Sequence, residues 1–272
     1  MALVLIFTIL QCFCPNSCEG TSDGKLVFSR MIELSDGDYL HYYAQNDPLW
    51  TSSLYEPKGS QEYRDMSIGG CGPAVAAIAI ANQLSPDDLP SILSYSLKPE
   101  VGYQFCSCSV NGYRHRGDHD LYSPKSAEDY QKYLPVVFAS YATGNNARCL
   151  KFRKEGRATS IALFESLSDA YGLEYKAYRE WDNAYAALQE GRSVITTVTK
   201  GIFTETSHYL VITYANEEWI YIMDPSMRKS YPRDYYGLLE VVEPGLVRAK
   251  MSDFKKLGLH CYYTIYNPNK LR

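Results

Sequence analysis

From Pro73 to Leu84 the chain reads as a helix apolar on nearly every face. A helix without a polar stripe cannot lie on a surface, so the other elements must pack around it. The residues leading into it, Ile68-Gly69-Gly70-Cys71-Gly72-Pro73, set a cysteine between glycines at its first turn. Unpaired backbone N–H groups and the helix dipole favour an anion there. A thiol so placed should lose its proton more readily and become a nucleophile. Pro73 suits the first helical positions, where no N–H partner is needed. Gly70 and Gly72 are expected to leave room for a substrate backbone beside the sulfur. Taken alone, a buried cysteine of this kind is more often inert, so the rest of the chain has to decide.

A chain of 272 residues has room for one large or two small domains and a sizeable core. Its 46% hydrophobic and 21% charged residues are those of an ordinary globular protein. A net charge of −4 offers no electrostatic footprint for nucleic acid. The excess of 25 tyrosines over 9 phenylalanines suits a wet binding cleft, though ordinary core and strand use explains it as well.

Ala2 to Leu10 is apolar apart from Thr8, too short to span a bilayer but the length of a secretory h-region. Residues 1–20 are therefore read as a signal peptide, with Cys18 and Gly20 as the small residues near its cleavage site. No Lys or Arg precedes Lys25, and the rival reading is a buried N-terminal strand. Export implies a secreted or cell-surface protein, the rival a cytoplasmic one. No other segment has the composition to cross a membrane, so no stable insertion is expected once the leader is removed.

Of eight cysteines, Cys12, Cys14 and Cys18 would leave with the leader. If Cys71 is a nucleophile, Cys106, Cys108, Cys149 and Cys261 remain, enough for two disulfides in three possible connectivities. Cys106 and Cys108 are too close to pair with each other, and in a reducing setting all four stay thiols. Cys106, Cys108, His115 and His119 also have paired spacings near those of metal sites. The six residues between the pairs are short for a zinc finger, so a polar loop without metal is preferred. No cofactor is expected.

Leu26 to Tyr43 suggests one or two strands broken at Asp36-Gly37. A second helix runs from Ser85-Pro86 to about Leu97. Residues 101–125 are polar and irregular, and 101–150 reads as an insertion. Within it, Ser126 to Leu134 is a short amphipathic helix that Pro135 ends or kinks. Ile161, Phe164, Leu167 and Tyr171 recur at helical spacing before Gly172. A strand covers Leu173 to Tyr178, and Asp182 caps a helix ending at Gly191. Strands follow at Ser193 to Val198, His208 to Tyr214, Trp219 to Met223 and Cys261 to Tyr266. Helices first and strands later predict an α+β fold in one domain, over residues 21–272.

A cysteine nucleophile needs a base, and the base needs an orienting group. Among five histidines, His208 stands at the start of an apolar strand, where a cleft rim commonly lies. The next strand runs into Asp224-Pro225. If Ala215 pairs with Glu218, His208 falls opposite Pro225, and a one-residue bulge would set it opposite Asp224. Either register brings a carboxylate to the imidazole, as a Cys/His/Asp relay requires. Gln45, 26 residues before Cys71, can supply a side-chain N–H beside the Cys71 N–H for an oxyanion.

The order Gln…Cys…His…Asp resembles that of papain-like cysteine peptidases. The islands Tyr43-Ala44-Gln45-Asn46-Asp47-Pro48-Leu49-Trp50, Gly69-Gly70-Cys71-Gly72-Pro73-Ala74, Phe203-Thr204, Ser207-His208-Tyr209 and Met223-Asp224-Pro225 look like the bacteriocin-processing (double-glycine leader) peptidase-like family. Ala187 to Ile195 resembles it too. The resemblance implies a papain-like α+β fold, its nucleophile helix packed on an antiparallel sheet that carries the histidine and aspartate. It implies Cys71 as nucleophile, His208 as base, Asp224 as orienting residue, Gln45 as oxyanion donor, and a peptide or protein substrate. Ser207 stands where the family commonly has Gly, and the 101–150 insertion replaces a short connection. An acyl transferase or amidase would share this chemistry, and an inactive peptide-binding module would keep only the cleft.

Overall fold

Alternation along the strands divides the molecule into two cores. The computed structural model describes residues 29–33, 39–48, 50, 55, 66–84, 133–143, 159–228 and 230–270. The main sheet contains β3 (Glu174–Tyr178), β4 (Ser193–Thr199), β5 (Ser207–Ala215), β6 (Trp219–Met223), β7 (Glu240–Glu243), β8 (Leu246–Lys250) and β9 (Leu259–Tyr266). They lie in the order β3-β9-β4-β5-β6-β8-β7, and each neighbouring pair is antiparallel. On β5, Tyr209 and Val211 enter one core while Leu210 and Ile212 enter the other, the period-two alternation of a strand buried on both faces. The protein is thus an α+β fold of helices on an antiparallel sheet.

The first core surrounds α2 (Cys71–Ala81), whose residues are all buried. Around it pack α3 (Leu134–Thr143), α4 (Ala162–Ala170) and the sheet face of Ile195, Val211 and Met223. The second core lies under α5 (Trp181–Gln189) and a 3-10 helix (Met251–Leu257), with Ala184, Leu188 and Leu257 against Val194, Leu210 and Ile222. A separate hairpin, β1 (Arg30–Glu33) with β2 (Tyr39–Tyr42), lies against the first core. It reaches the far sheet edge through Arg30, which pairs with Glu243 at 3.0 Å and donates to the Pro244 carbonyl at 2.7 Å.

Several expectations change. Pro135 occupies the second position of a helix, α3, where its fixed φ and missing N–H are tolerated. Residues 134–143 of the expected 101–150 insertion belong to the core, because Leu134, Val136, Val137 and Phe138 are buried against α2. Asp182 lies inside the first turn of α5, where a carboxylate favours the helix dipole, and Glu180 holds the cap position. Gly172 and Gly191 follow their helices with φ of +64° and +82°, as chain-reversing residues should. The short strands β7 and β8 and the 3-10 helix had no counterpart in the sequence reading.

The expected leader, the helix from Ser85 to Leu97, the Ser126 to Leu134 helix up to its last two residues, and the Cys106, Cys108, His115, His119 and Cys149 positions lie outside the described residues. Neither Cys71 nor Cys261 forms a disulfide. Among the described residues no helix is long and apolar enough to cross a membrane, and no cluster of His, Cys, Asp and Glu is grouped to hold a metal.

Candidate active site

Cys71 is the first residue of α2, as the glycine-flanked motif predicts. It does not follow a bare loop, however. A single helical turn, α1 (Met66–Gly69), precedes it, and Gly70 links the two with φ −81° and ψ 5° while donating to the Met66 carbonyl at 2.9 Å. The flanking glycines also do something other than expected. A Cβ on Gly70 would stand 2.4 Å from the Met66 carbonyl oxygen, and one on Gly72 would stand 2.3 Å from Thr159 Oγ1. The protein's own atoms fill the space, so these glycines let α1 and Thr159 press against the nucleophile's backbone rather than admit a substrate.

His208 and Asp224 meet, but not by the expected register. Ala215 pairs with Ile220, because Asn216 Oδ1 accepts from the N–H groups of both Glu218 and Trp219 and widens the turn. A bulge between Ile212 and Tyr214 then shifts the ladder, which reaches Val211 opposite Met223. Continued, that register sets His208 opposite Ser226. Asp224 returns to the imidazole through the turn that follows β6, and His208 Nε2 lies 2.8 Å from its Oδ1. Ser226 contributes twice, with its N–H to Asp224 Oδ1 at 2.8 Å and its Oγ 3.1 Å from His208 Nε2. With Nε2 so engaged, Nδ1 is left for the hydrogen bond between His208 and the Cys71 side chain.

The carboxylate is held from every side. Tyr231 donates its hydroxyl to Asp224 Oδ2 at 3.0 Å, and Arg228 Nε stands 3.9 Å from the same oxygen. The Asp224 N–H goes to the Gly245 carbonyl at 2.7 Å, and the Asp224 carbonyl accepts from Tyr42 at 2.7 Å. Gly245, with φ +86°, has no room for a Cβ because the Tyr42 hydroxyl occupies that place. Full burial would by itself push the Asp224 carboxyl up, but His208 and then Arg228 hold it below the usual carboxylate range. Burial likewise works against a charged imidazole, yet Asp224 and the Cys71 side chain outweigh it and raise His208 to about 10. The arrangement is a buried imidazolium–carboxylate pair at neutral pH, with the Cys71 sulfur on the imidazole's other side. Burial, and Asp224 after it, push Tyr42 and Tyr231 well up, so both remain donors.

Gln45 joins the same site. Its N–H donates to the Pro225 carbonyl at 2.7 Å and its Nε2 donates to the Ser67 carbonyl at 2.7 Å. That contact fixes which end of the amide is nitrogen, since two carbonyl oxygens would repel. One Nε2 proton is thereby used and the second remains. Gln45 Oε1 and Asn46 Oδ1 are buried without a hydrogen-bond partner among the described residues.

All four expected residues are thus brought together, and Cys71, His208 and Gln45 line one cleft with Asp224 closed off behind His208. Thr204, Thr206, Ser207 and Ser226 form a hydroxyl-rich wall, beside Asn46 and Arg228. Ser207 is exposed on this wall. Tyr42, Ser226, Arg228 and Tyr231 escaped the sequence reading. Only the proximity of Ser226 and Arg228 to Asp224-Pro225 could have drawn attention to them.

The sequence matches no protein-family model, and a comparison with curated proteins also finds no match.

Proposed function

We propose that this chain is a papain-like cysteine peptidase, resembling the bacteriocin-processing peptidase-like family, which hydrolyses peptide bonds through an acyl-enzyme on Cys71. One observation carries the reading: a fully buried carboxylate 2.8 Å from a histidine that also hydrogen-bonds a helix-initial cysteine. A structural histidine has no use for a nucleophile on one nitrogen and a buried anion on the other, whereas a nucleophile–base–orienter relay needs both.

In the resting pair Cys71 is the thiolate and His208 the imidazolium. The sulfur adds to the scissile carbonyl carbon, forming a C–S bond as the π pair moves to oxygen. The free Nε2 proton of Gln45 and the Cys71 N–H receive that oxyanion. Its collapse breaks the C–N bond, and the amine departs with the proton from His208. Neutral His208 then takes a proton from water as the oxygen attacks the thioester. Breaking the C–S bond releases the acid and restores the ion pair. Asp224 keeps the ring oriented throughout. The orphaned Asn46 Oδ1 offers an acceptor for a substrate backbone N–H, a group whose burial without a partner otherwise costs about 1–3 kcal/mol.

Residues 1–20 as a secretory leader, and hence a secreted or cell-surface peptidase, belong to the same reading.

The test is peptide profiling of the full chain against its Cys71→Ala variant, with iodoacetamide labelling at neutral pH. Cleavages that vanish in Cys71→Ala, together with fastest alkylation at Cys71, are expected. Undiminished hydrolysis by Cys71→Ala would remove the scheme.

A further inference from the structure

Apart from the His208 imidazolium, the cleft wall presents one cation and no carboxylate among the charged side chains of the described residues. Arg228 lines the cleft with Cys71 and His208, and its side chain is 33% exposed. Glu205, between the cleft-lining Thr204 and Thr206, is taken up by Arg233. Asp224 is fully buried and already engaged by His208, Tyr231 and the Ser226 N–H.

The guanidinium is held by two of its three nitrogens. Nη1 donates to the Phe203 carbonyl and Nε faces Asp224 Oδ2 at 3.9 Å, with the Tyr231 ring 6.0 Å away. Nη2 has no hydrogen-bond partner among the described residues. A guanidinium needed only to balance Asp224 would not have to reach a cleft. One that is fixed at the back and open at the front is preorganised for an anion, because little side-chain freedom remains to be lost on binding. The neighbouring hydroxyls of Thr204, Thr206 and Ser226 can donate to the same ligand.

We infer that Arg228 is a specificity-determining residue that binds a carboxylate, so that the acyl donor taken by this cleft is a peptide with an Asp or Glu side chain close to the scissile bond. The assignment deepens the peptidase reading and rests on it for turnover, though not for binding. Charge-assisted hydrogen bonds are roughly twice as strong as neutral ones. A Glu peptide should therefore be favoured over its Gln isostere by about tenfold or more.

The experiment has two arms on the full chain. In the first, a degenerate peptide pool is passed over immobilised Cys71→Ala protein, and retained sequences are read by mass spectrometry. Enrichment of Asp and Glu is expected, weakened by salt, lost in Cys71→Ala/Arg228→Gln and partly kept in Cys71→Ala/Arg228→Lys. In the second, kcat/KM is compared for Glu and Gln versions of one cleaved peptide, with wild type and Arg228→Gln. The Glu/Gln ratio should fall from about tenfold to near one, mainly through KM. A disturbed Asp224 would instead lower both substrates equally and leave that ratio intact. Retention with no acidic enrichment, or a ratio unchanged by Arg228→Gln, overturns the assignment while leaving peptidase activity standing. Acidic enrichment without any Cys71-dependent turnover would instead overturn the peptidase reading and keep Arg228 as an anion-binding residue.

Discussion

Tyr231 donates its hydroxyl to Asp224 Oδ2, the carboxylate oxygen that His208 does not use. The two donors thus fix the carboxylate plane, and with it the imidazole that must face Cys71. A hydrogen bond to a charged group is worth about 1.5–3 kcal/mol. Tyr231→Phe should lose about that much stability, because Tyr231 and Asp224 are both buried. Its kcat should fall by less than that of Asp224→Ala, since His208 keeps its bond to Oδ1. Urea unfolding and steady-state kinetics on the two variants check both statements, and a Tyr231→Phe protein as stable as wild type would contradict the first.

The charge state of the pair predicts a pH dependence of stability. His208 rises from its ordinary value near 6.5 to about 10 in the folded protein. Between those values His208 holds a proton in the folded state that it has released in the unfolded state, and in Cys71→Ala no thiol ionisation offsets it. The contribution is therefore complete below about pH 6.5 and is lost as pH rises toward 10, at no more than about 1.4 kcal/mol per pH unit. In Cys71→Ala/Asp224→Asn the main cause of the rise is gone while burial remains, so the slope seen in Cys71→Ala should disappear. Urea midpoints from pH 6 to 10 would show it, and parallel curves for the two proteins would rule it out.

Much of the site was legible in the sequence because each functional residue sits at a boundary with its own signature. Cys71 lies between glycines before an apolar run, His208 opens an apolar strand, and Asp224-Pro225 closes the next. The register was not legible. It depends on Asn216 using one side-chain oxygen for two N–H groups and on a bulge at Thr213, neither of which hydrophobic alternation reports. The strands β7 and β8 were missed for a related reason. Val241 is 39% exposed on β7 while Glu240 and Arg248 pair across the edge, so neither strand shows a clean apolar run. Asp224 nevertheless depends on Gly245, one residue before β8, for its backbone bond.

Gln45 should act on the transition state more than on substrate binding. Its one remaining Nε2 proton is available to an oxyanion while the other stays on the Ser67 carbonyl. Gln45→Ala is expected to cost on the order of 10²–10³ in kcat with little change in KM. Gln45→Glu should be no better, because an ionised carboxylate brings only acceptors toward a developing negative charge. A Gln45→Glu enzyme of near wild-type kcat would show that the oxyanion is held elsewhere.

The glycine after the nucleophile makes the last prediction. Its Cα faces Thr159, whose Oγ1 hydrogen-bonds Tyr55 at 2.7 Å and whose carbonyl accepts from Tyr209 at 2.9 Å. Thr159 is thus held from two sides and cannot withdraw cheaply. In Gly72→Ala the added methyl would meet its Cβ at 2.4 Å as well as its Oγ1, so the strain falls on the start of α2. A loss of about 1–3 kcal/mol is expected for overpacking of this kind, with slower alkylation of Cys71 as the helix start shifts. Thr159→Gly removes the colliding atoms along with the Tyr55 bond, so it should destabilise the wild type yet cost less in the Gly72→Ala background. A double-mutant cycle by urea unfolding reads this coupling directly. Additive effects would mean that Thr159 does not set the position of the nucleophile.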